Sequence, residues 1–201
     1  MEKQFLYPRT TERTERLKRV LEKRQPDLTI VIENVDDPHN VSAVVRSCDA
    51  VGVFDVCLVY SEGRDFPELG EKSSASARKW LNFRRFRTIQ DCFQELRNEN
   101  KKIYTTHLSK DSLSLYDLDL TVPVAMVFGN EHKGVSEEAV ELADGNFLIP
   151  QVGVIQSLNI SVACAVSLYE AFRQRLIIGK YSTPQFPEEE FNKILNFWLS
   201  K

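Results

Sequence analysis

The sequence has few of the residues from which common sites are built. Only four cysteines occur in 201 residues, at positions 48, 57, 92 and 164, and none forms a Cys-x-x-Cys pair. Each sits in an apolar or amphipathic stretch, which points to buried thiols in a reducing compartment rather than to disulfides or zinc. The three histidines, His39, His107 and His132, are scattered without metal-ligand spacing, so no metal is expected. Eight glycines include no Gly-x-Gly-x-x-Gly, which removes the main support for an ordinary dinucleotide-binding fold. A Walker phosphate loop is absent too: in Gly129-Asn130-Glu131-His132-Lys133-Gly134 the lysine precedes the last glycine, and Val135 follows. No apolar run approaches the ~20 residues of a membrane span. Met1-Glu2-Lys3-Gln4 carries an acid and leads into no secretory-type apolar segment. A cytoplasmic protein without membrane contact is the expectation. Aromatic residues do not interleave the basic stretches as in a stacking platform, and there is neither an internal repeat nor a low-complexity tract.

What is present fits one globular domain with short appendages, since 42% apolar composition over this length can bury one good core. The net charge of −3 conceals a segregation. Residues 1–26 hold eight Lys/Arg against four acids, and residues 78–102 hold eight against three. Such patches suit either solvated helix faces or a polyanion, which responds to local charge. Strand-like runs at Leu28–Ile32, Phe54–Tyr60, Phe83–Phe86, Lys102–Thr106, Val122–Phe128 and Phe147–Ile149 alternate with helical spacing over Asn40–Val51, Thr88–Asn100, Ser136–Ala143 and Asn159–Leu176. Alternation of this kind predicts an α/β fold: a mostly parallel sheet covered by helices on both faces. Residues 1–26 form a basic helical extension, residues 27–178 the main domain, and residues 179–201 a C-terminal extension with a helix from Glu188 to Leu199.

Three polar segments stand at the ends of apolar runs, where α/β sheets build sites. They are Asp37-Pro38-His39-Asn40-Val41-Ser42 leading to Arg46, then Phe128 to Ser136, then Ile149-Pro150-Gln151 through Gln156-Ser157-Leu158-Asn159-Ile160-Ser161. Asn40 reads as an N-cap by default. Arg46 interrupts an apolar helix, where it either pairs with Asp49 at i,i+3 or presents a guanidinium to a phosphate. The glycines at 129 and 134 fit either a plain βα turn or a loop that lets a ligand approach the main chain. Ser157, Asn159 and Ser161 suit a helix entry with free amides, where only one of the three can cap.

Together and in this order, the segments resemble the three motifs of the SpoU/TrmH family of SPOUT RNA methyltransferases, and the resemblance runs from about Thr11 to the C-terminus. It implies an α/β domain with a deep C-terminal trefoil knot, S-adenosylmethionine as methyl donor, and a homodimer. It carries catalytic roles onto Arg46, Asn40, Glu131, Ser157 and Asn159. The cofactor would be gripped, mostly by backbone, around Thr106, Gly129, Ile149, Gln151 and Leu158. The basic helix before the first strand, the Glu170–Arg175 segment and the closing helix with Trp198 are most similar to members acting on guanosine 18 of tRNA. Arg13, Arg16, Arg19, Arg173 and Arg175 are accordingly expected on tRNA phosphates. The alternatives are 2′-O-methylation of another tRNA or rRNA nucleotide, or a non-catalytic RNA-binding protein on the same scaffold.

Overall fold

The computed structural model describes residues 10–67, 77–109, 111–155 and 157–201. Seven strands form one sheet: β1 (Gln25–Glu33), β2 (Val53–Val59), β3 (Asn82–Phe86), β4 (Lys102–Thr106), β5 (Leu113–Ser114), β6 (Val124–Phe128) and β7 (Gly145–Leu148). Their order is β3-β2-β1-β6-β4-β7-β5, and every neighbouring pair is parallel. The described residues hold six α-helices: α1 (Thr11–Leu21), α2 (Pro38–Val51), α3 (Ile89–Asn98), α4 (Glu137–Leu142), α5 (Ile160–Ile177) and α6 (Glu188–Leu199).

Side-chain alternation along β1 divides the core. Ile30 and Ile32 face α2 and α5 with Val44, Val45, Cys48, Met126 and Leu168. Val31 faces the opposite side with Phe93, Leu96, Ile103 and Val127. A strand buried on both faces reads as a continuous apolar run, which is why Leu28–Ile32 is conspicuous in the sequence. All four cysteines are buried free thiols. No helix among the described residues is long and apolar enough to cross a membrane.

The two appended helices form a shared minor core: Leu17 and Leu21 of α1 pack with Phe186, Trp198 and Leu199. Fully buried Arg24 fastens this unit to the sheet layer, pairing with Asp49 near the end of α2 and donating to the Val53 carbonyl at 2.9 Å. The end of α2 requires glycine twice over. Gly52 has φ of 87°, and a Cβ there would lie 2.5 Å from the Lys23 carbonyl oxygen.

Two expectations are corrected by the fold. Asn40 is not the cap of its helix: Asp37 is, its side chain accepting from the His39 N–H, and Pro38 occupies the first turn, where its missing N–H costs nothing. Arg175 is not on the surface. Its guanidinium is fully buried, donating to the Leu120 carbonyl at 2.8 Å, the Val122 carbonyl at 2.9 Å and Gln25 Oε1 at 3.1 Å, and pairing with Asp27. Every donor direction it uses points into protein, so it stitches α5 to β1 and to the segment before β6 instead of meeting phosphate. Residues 1–9 of the N-terminal extension and Gln156 of the third segment lie outside the described residues.

Candidate active site

The site begins where β6, buried throughout, runs out at Phe128. The chain turns back immediately: Asn130 N–H donates to the Gly134 carbonyl at 2.9 Å, and Gly134 N–H returns the bond at 2.8 Å. Gly134 sits at φ of 70°, and a Cβ on Gly129 would lie 2.2 Å from Gly134 backbone atoms. The turn therefore closes only with glycine at 129. Asn130 braces it from both sides. Its Oδ1 accepts from the His132 and Lys133 amides, and its Nδ2 donates to the Asn34 carbonyl and to Asp36 Oδ2, both at 2.8 Å. Arg64 completes the brace by pairing with Asp36.

This brace aims Glu131 at the entry of α2. Its carboxylate accepts from the Asp36 and Asp37 amides, each at 3.2 Å, and from Asn40 Nδ2 at 3.0 Å. Asn40 Oδ1 in turn accepts from Asn159 Nδ2 at 3.1 Å. Asn159 caps α5, its Oδ1 accepting from the Ser161 amide at 2.8 Å and hydroxyl at 2.6 Å. One file of hydrogen bonds thus runs Glu131–Asn40–Asn159–Ser161 and fastens all three segments together. Asn40 can serve it because Asp37 has taken over the capping.

Burial by itself would raise the Glu131 carboxyl. The bond from Asn40 and the main-chain amides outweigh it and hold the group below the ordinary glutamate value. A carboxyl lowered by folding stabilises the native state above its unfolded pKa of about 4.3 and loses that contribution as pH falls through the folded value. Glu131→Gln puts an amide donor among donors, and charge-assisted bonds of this kind are worth ~1.5–3 kcal/mol. The expected result is faster hydrogen exchange at the Asp36 and Asp37 amides, roughly 10–100-fold. Unchanged exchange would mean that another group orders this loop.

Beside the file lies a cleft of about 1020 Å³. Thr106, Gly129, Ile149, Gln151 and Leu158 all line it, as do Glu131, Ser157 and Asn159. The Thr106 hydroxyl donates to the Val127 carbonyl at 3.0 Å, so a ligand meets this position through its main chain or as a donor to the hydroxyl oxygen. The wall is mixed: apolar Ile149 and Leu158, the Glu131 carboxylate, Lys133, two histidines and loop backbone. That mixture suits a ligand with both apolar and charged parts, and the cleft is at the upper end of the roughly 300–1,000 Å³ usual for ligand pockets.

Arg46 stands apart from the cleft, on the solvent face of α2, six residues and ~9 Å of helix rise beyond Asn40. The i,i+3 partner open to it in the sequence is taken, since Asp49 pairs with Arg24. Among the described residues none pairs with the Arg46 guanidinium. Of the remaining arginines, Arg16 and Arg19 are exposed on α1, Arg13 is half-buried, and Arg173 is exposed while gripped by Glu170 at 2.8 and 2.9 Å. The bracing residues Asn34, Asp36, Arg64 and Asn130 went unassigned in the sequence reading. Only the left-handed Asn34, at φ of 50°, carries a local signal of its kind, an asparagine tolerated where most residues are not.

The SpoU rRNA Methylase family model matches residues 27–169, well over half of the chain. The chain belongs to this family. Among SpoU relatives, the tRNA (guanosine(18)-2′-O)-methyltransferase of Thermus thermophilus is 45% identical over 193 residues, 96% of this chain and 98% of that one. The solved TrmH/SpoU tRNA modifying enzyme of Aquifex aeolicus superposes with a TM-score of 0.88 at 43% identity, covering 94% of this chain and 95% of that one. An AdoMet-bound rRNA methyltransferase from Sinorhizobium meliloti has a TM-score of 0.67 at 25% identity, over 78% of this chain and 59% of that one. The SpoU match thus spans the sheet, the file of hydrogen bonds and most of α5.

Proposed function

We propose that this chain methylates the ribose 2′-oxygen of guanosine 18 in the D-loop of tRNA, drawing on S-adenosylmethionine. The observation that carries the reading is the file Glu131–Asn40–Asn159. It locks the three SpoU segments around one cleft in a chain nearly half identical to an enzyme with that activity. The cofactor supplies an electrophilic methyl group on a sulfonium. Thr106, Gly129, Ile149, Gln151, Ser157 and Leu158 would hold it, with the Glu131 carboxylate as the complementary charge at the wall.

In this reading Arg46, exposed on α2 outside the cleft, acts on the RNA. A guanidinium is effectively always protonated in proteins, so a free-base role is unfavourable. Arg46 as a cation anchors the phosphate next to the target ribose in two-point geometry and polarises the 2′-hydroxyl. The proton then leaves through that phosphate or through water. Asn40 and Glu131 fix the helix that presents Arg46, and Ser157 and Asn159 shape the cleft mouth. Alignment of this sort can contribute up to ~7–11 kcal/mol. Arg13, Arg16, Arg19 and Arg173 supply further phosphate contacts. The cytoplasm is the compartment that this reading implies.

Two architectural readings accompany it. β7 lies between β4 and β5, and a loop joins those two strands across it, which supports a chain threaded as a trefoil knot. Val162, Tyr169 and Leu176 are exposed and spaced seven apart on α5, with Ile177 and Ile178 beyond, which supports a homodimer packed on that stripe.

The test is transfer of labelled methyl from S-adenosylmethionine to an unmodified tRNA transcript, followed by nuclease mapping. Label on the 2′-oxygen of guanosine 18 is expected. Label at another nucleotide would reassign the target, and tRNA binding without label would favour a non-catalytic RNA-binding role.

A further inference from the structure

A second recess, of about 520 Å³, opens between α1, the last turns of α2 and the 3-10 turn at Ala77–Trp80. Arg13, Arg16 and Val20 form one wall, and Asp49 and Trp80 the other, with Glu12 at the rim. Its acids and bases are unevenly committed. The Asp49 carboxylate is already paired with buried Arg24, which leaves two arginines facing one glutamate. Arg13 Nη1 is buried and has no hydrogen-bond partner. A buried guanidinium nitrogen without an acceptor is costly; the two others among the described residues, Arg24 Nε and Arg84 Nε, belong to guanidinium groups paired with Asp49 and Glu99, whereas the Arg13 side chain pairs with no described residue.

Trp80 supplies a different chemistry. Its ring meets buried Trp198 at 5.4 Å between centroids and 70° between planes, which fixes the indole against the minor core while it lines the recess. Lys201 Nζ stands 5.9 Å from the same ring. Cationic forks beside a rigid aromatic surface match a nucleotide, phosphate to the arginines and base to the indole. The ring comes to the basic helix from elsewhere in the chain, so no spacing of aromatics and arginines along the sequence signals it. The position is equally telling. Asp49 follows Arg46 by three residues on α2, an axial rise of ~4.5 Å, so an RNA strand held at Arg46 has its neighbouring nucleotides within reach of the recess.

We infer that this recess seats one nucleotide of the tRNA other than the one methylated, its phosphate on Arg13 and Arg16 and its base against Trp80. The inference rests on the proposed tRNA reading and adds a second, base-stacking foothold to it.

The chain has two tryptophans, and Trp198 is only 2% exposed, so a quench of emission on adding RNA reports on Trp80. Titrating the full-length protein with unmodified tRNA transcript is expected to quench emission, and Trp80→Phe is expected to abolish the quench while still binding. Trp80→Leu should weaken tRNA binding roughly ten-fold, the usual order for losing one stacked base. Arg13→Gln should weaken it similarly and lower the slope of log K against log salt by about one. Both losses should fall more on KM for tRNA than on kcat, with S-adenosylmethionine binding within two-fold of wild type as the check on folding. A quench that persists in Trp80→Phe would overturn the inference, as would Arg13→Gln with wild-type affinity and salt slope. Failure of the tRNA reading would be distinct, because the unaltered chain would then fail to methylate tRNA.

Discussion

Arg46→Ala is expected to lower methyl transfer to tRNA by about 10²-fold, the order lost when a reacting group is held slightly out of line. Three features of the site make this a clean experiment. The side chain is exposed and pairs with no described residue, so its removal should leave stability within about 0.5 kcal/mol, as for other surface changes. The file Glu131–Asn40–Asn159 does not pass through Arg46, so the cleft and its ligand binding should survive. Phosphate contacts elsewhere should keep tRNA bound, with Kd rising by less than ten-fold for the loss of about one contact. Single-turnover transfer with saturating tRNA separates the chemical step from binding. Arg46→Lys keeps the charge and loses the planar fork, so it should fall between wild type and alanine. If the alanine variant transfers methyl within a few-fold of wild type, Arg46 has no part in the chemistry.

Arg175→Ala is expected to cost about 3–5 kcal/mol of stability, the range for breaking a buried ion pair from one side. The substitution strands the Leu120 and Val122 carbonyls and Gln25 Oε1, and deprives Asp27 of one of its two cationic partners. It also leaves a cavity the size of a large side chain. Burial would raise the Asp27 carboxyl; the Arg175 charge, with Lys180, outweighs it and holds the group below its ordinary value. That contribution is present above the unfolded pKa of about 3.9 and is lost as pH falls through the folded value. With only Lys180 left to oppose burial, the Asp27 carboxyl is depressed less, so the variant's stability should fall less steeply with acid than the wild type's. Urea unfolding at several pH values measures both effects. A phosphate-binding Arg175 would behave oppositely, leaving stability intact and lowering the salt dependence of tRNA binding.

Arg175 also marks where the sequence ceases to inform. An arginine near the end of a helix is by default exposed, and α5 is apolar on so much of its circumference that spacing does not distinguish its faces. Its partners at 25, 27, 120 and 122 are far off in sequence, and nothing local announces them. Asn40 was misplaced for a subtler reason. Two capping residues, Asp37 and Asn40, compete over four positions, and Pro38 decides for the first by fixing the turn that follows it. β5, two residues long, is below what any hydrophobic pattern can signal. By contrast, β1 and β6 were legible because strands buried on both faces read as near-continuous apolar runs. The three polar segments were legible one by one, and their resemblance to a known order tied them to a chemistry. That Asn40 would bond Glu131, 91 residues away, is a product of strand order, which periodicity does not encode.

Strand order has a last consequence, for the chain as it is made. β1 can pair with β2 as soon as the latter is synthesised, but its other edge waits for β6: Leu28 meets Val124, about a hundred residues later. At ~5–20 residues per second that edge of Val, Ile and Leu stands open for roughly 5–20 s on every ribosome. An exposed, flat, apolar edge invites pairing with other chains. Asp27 and Glu33, set towards the two ends of the strand, are the charges that stand guard while it waits.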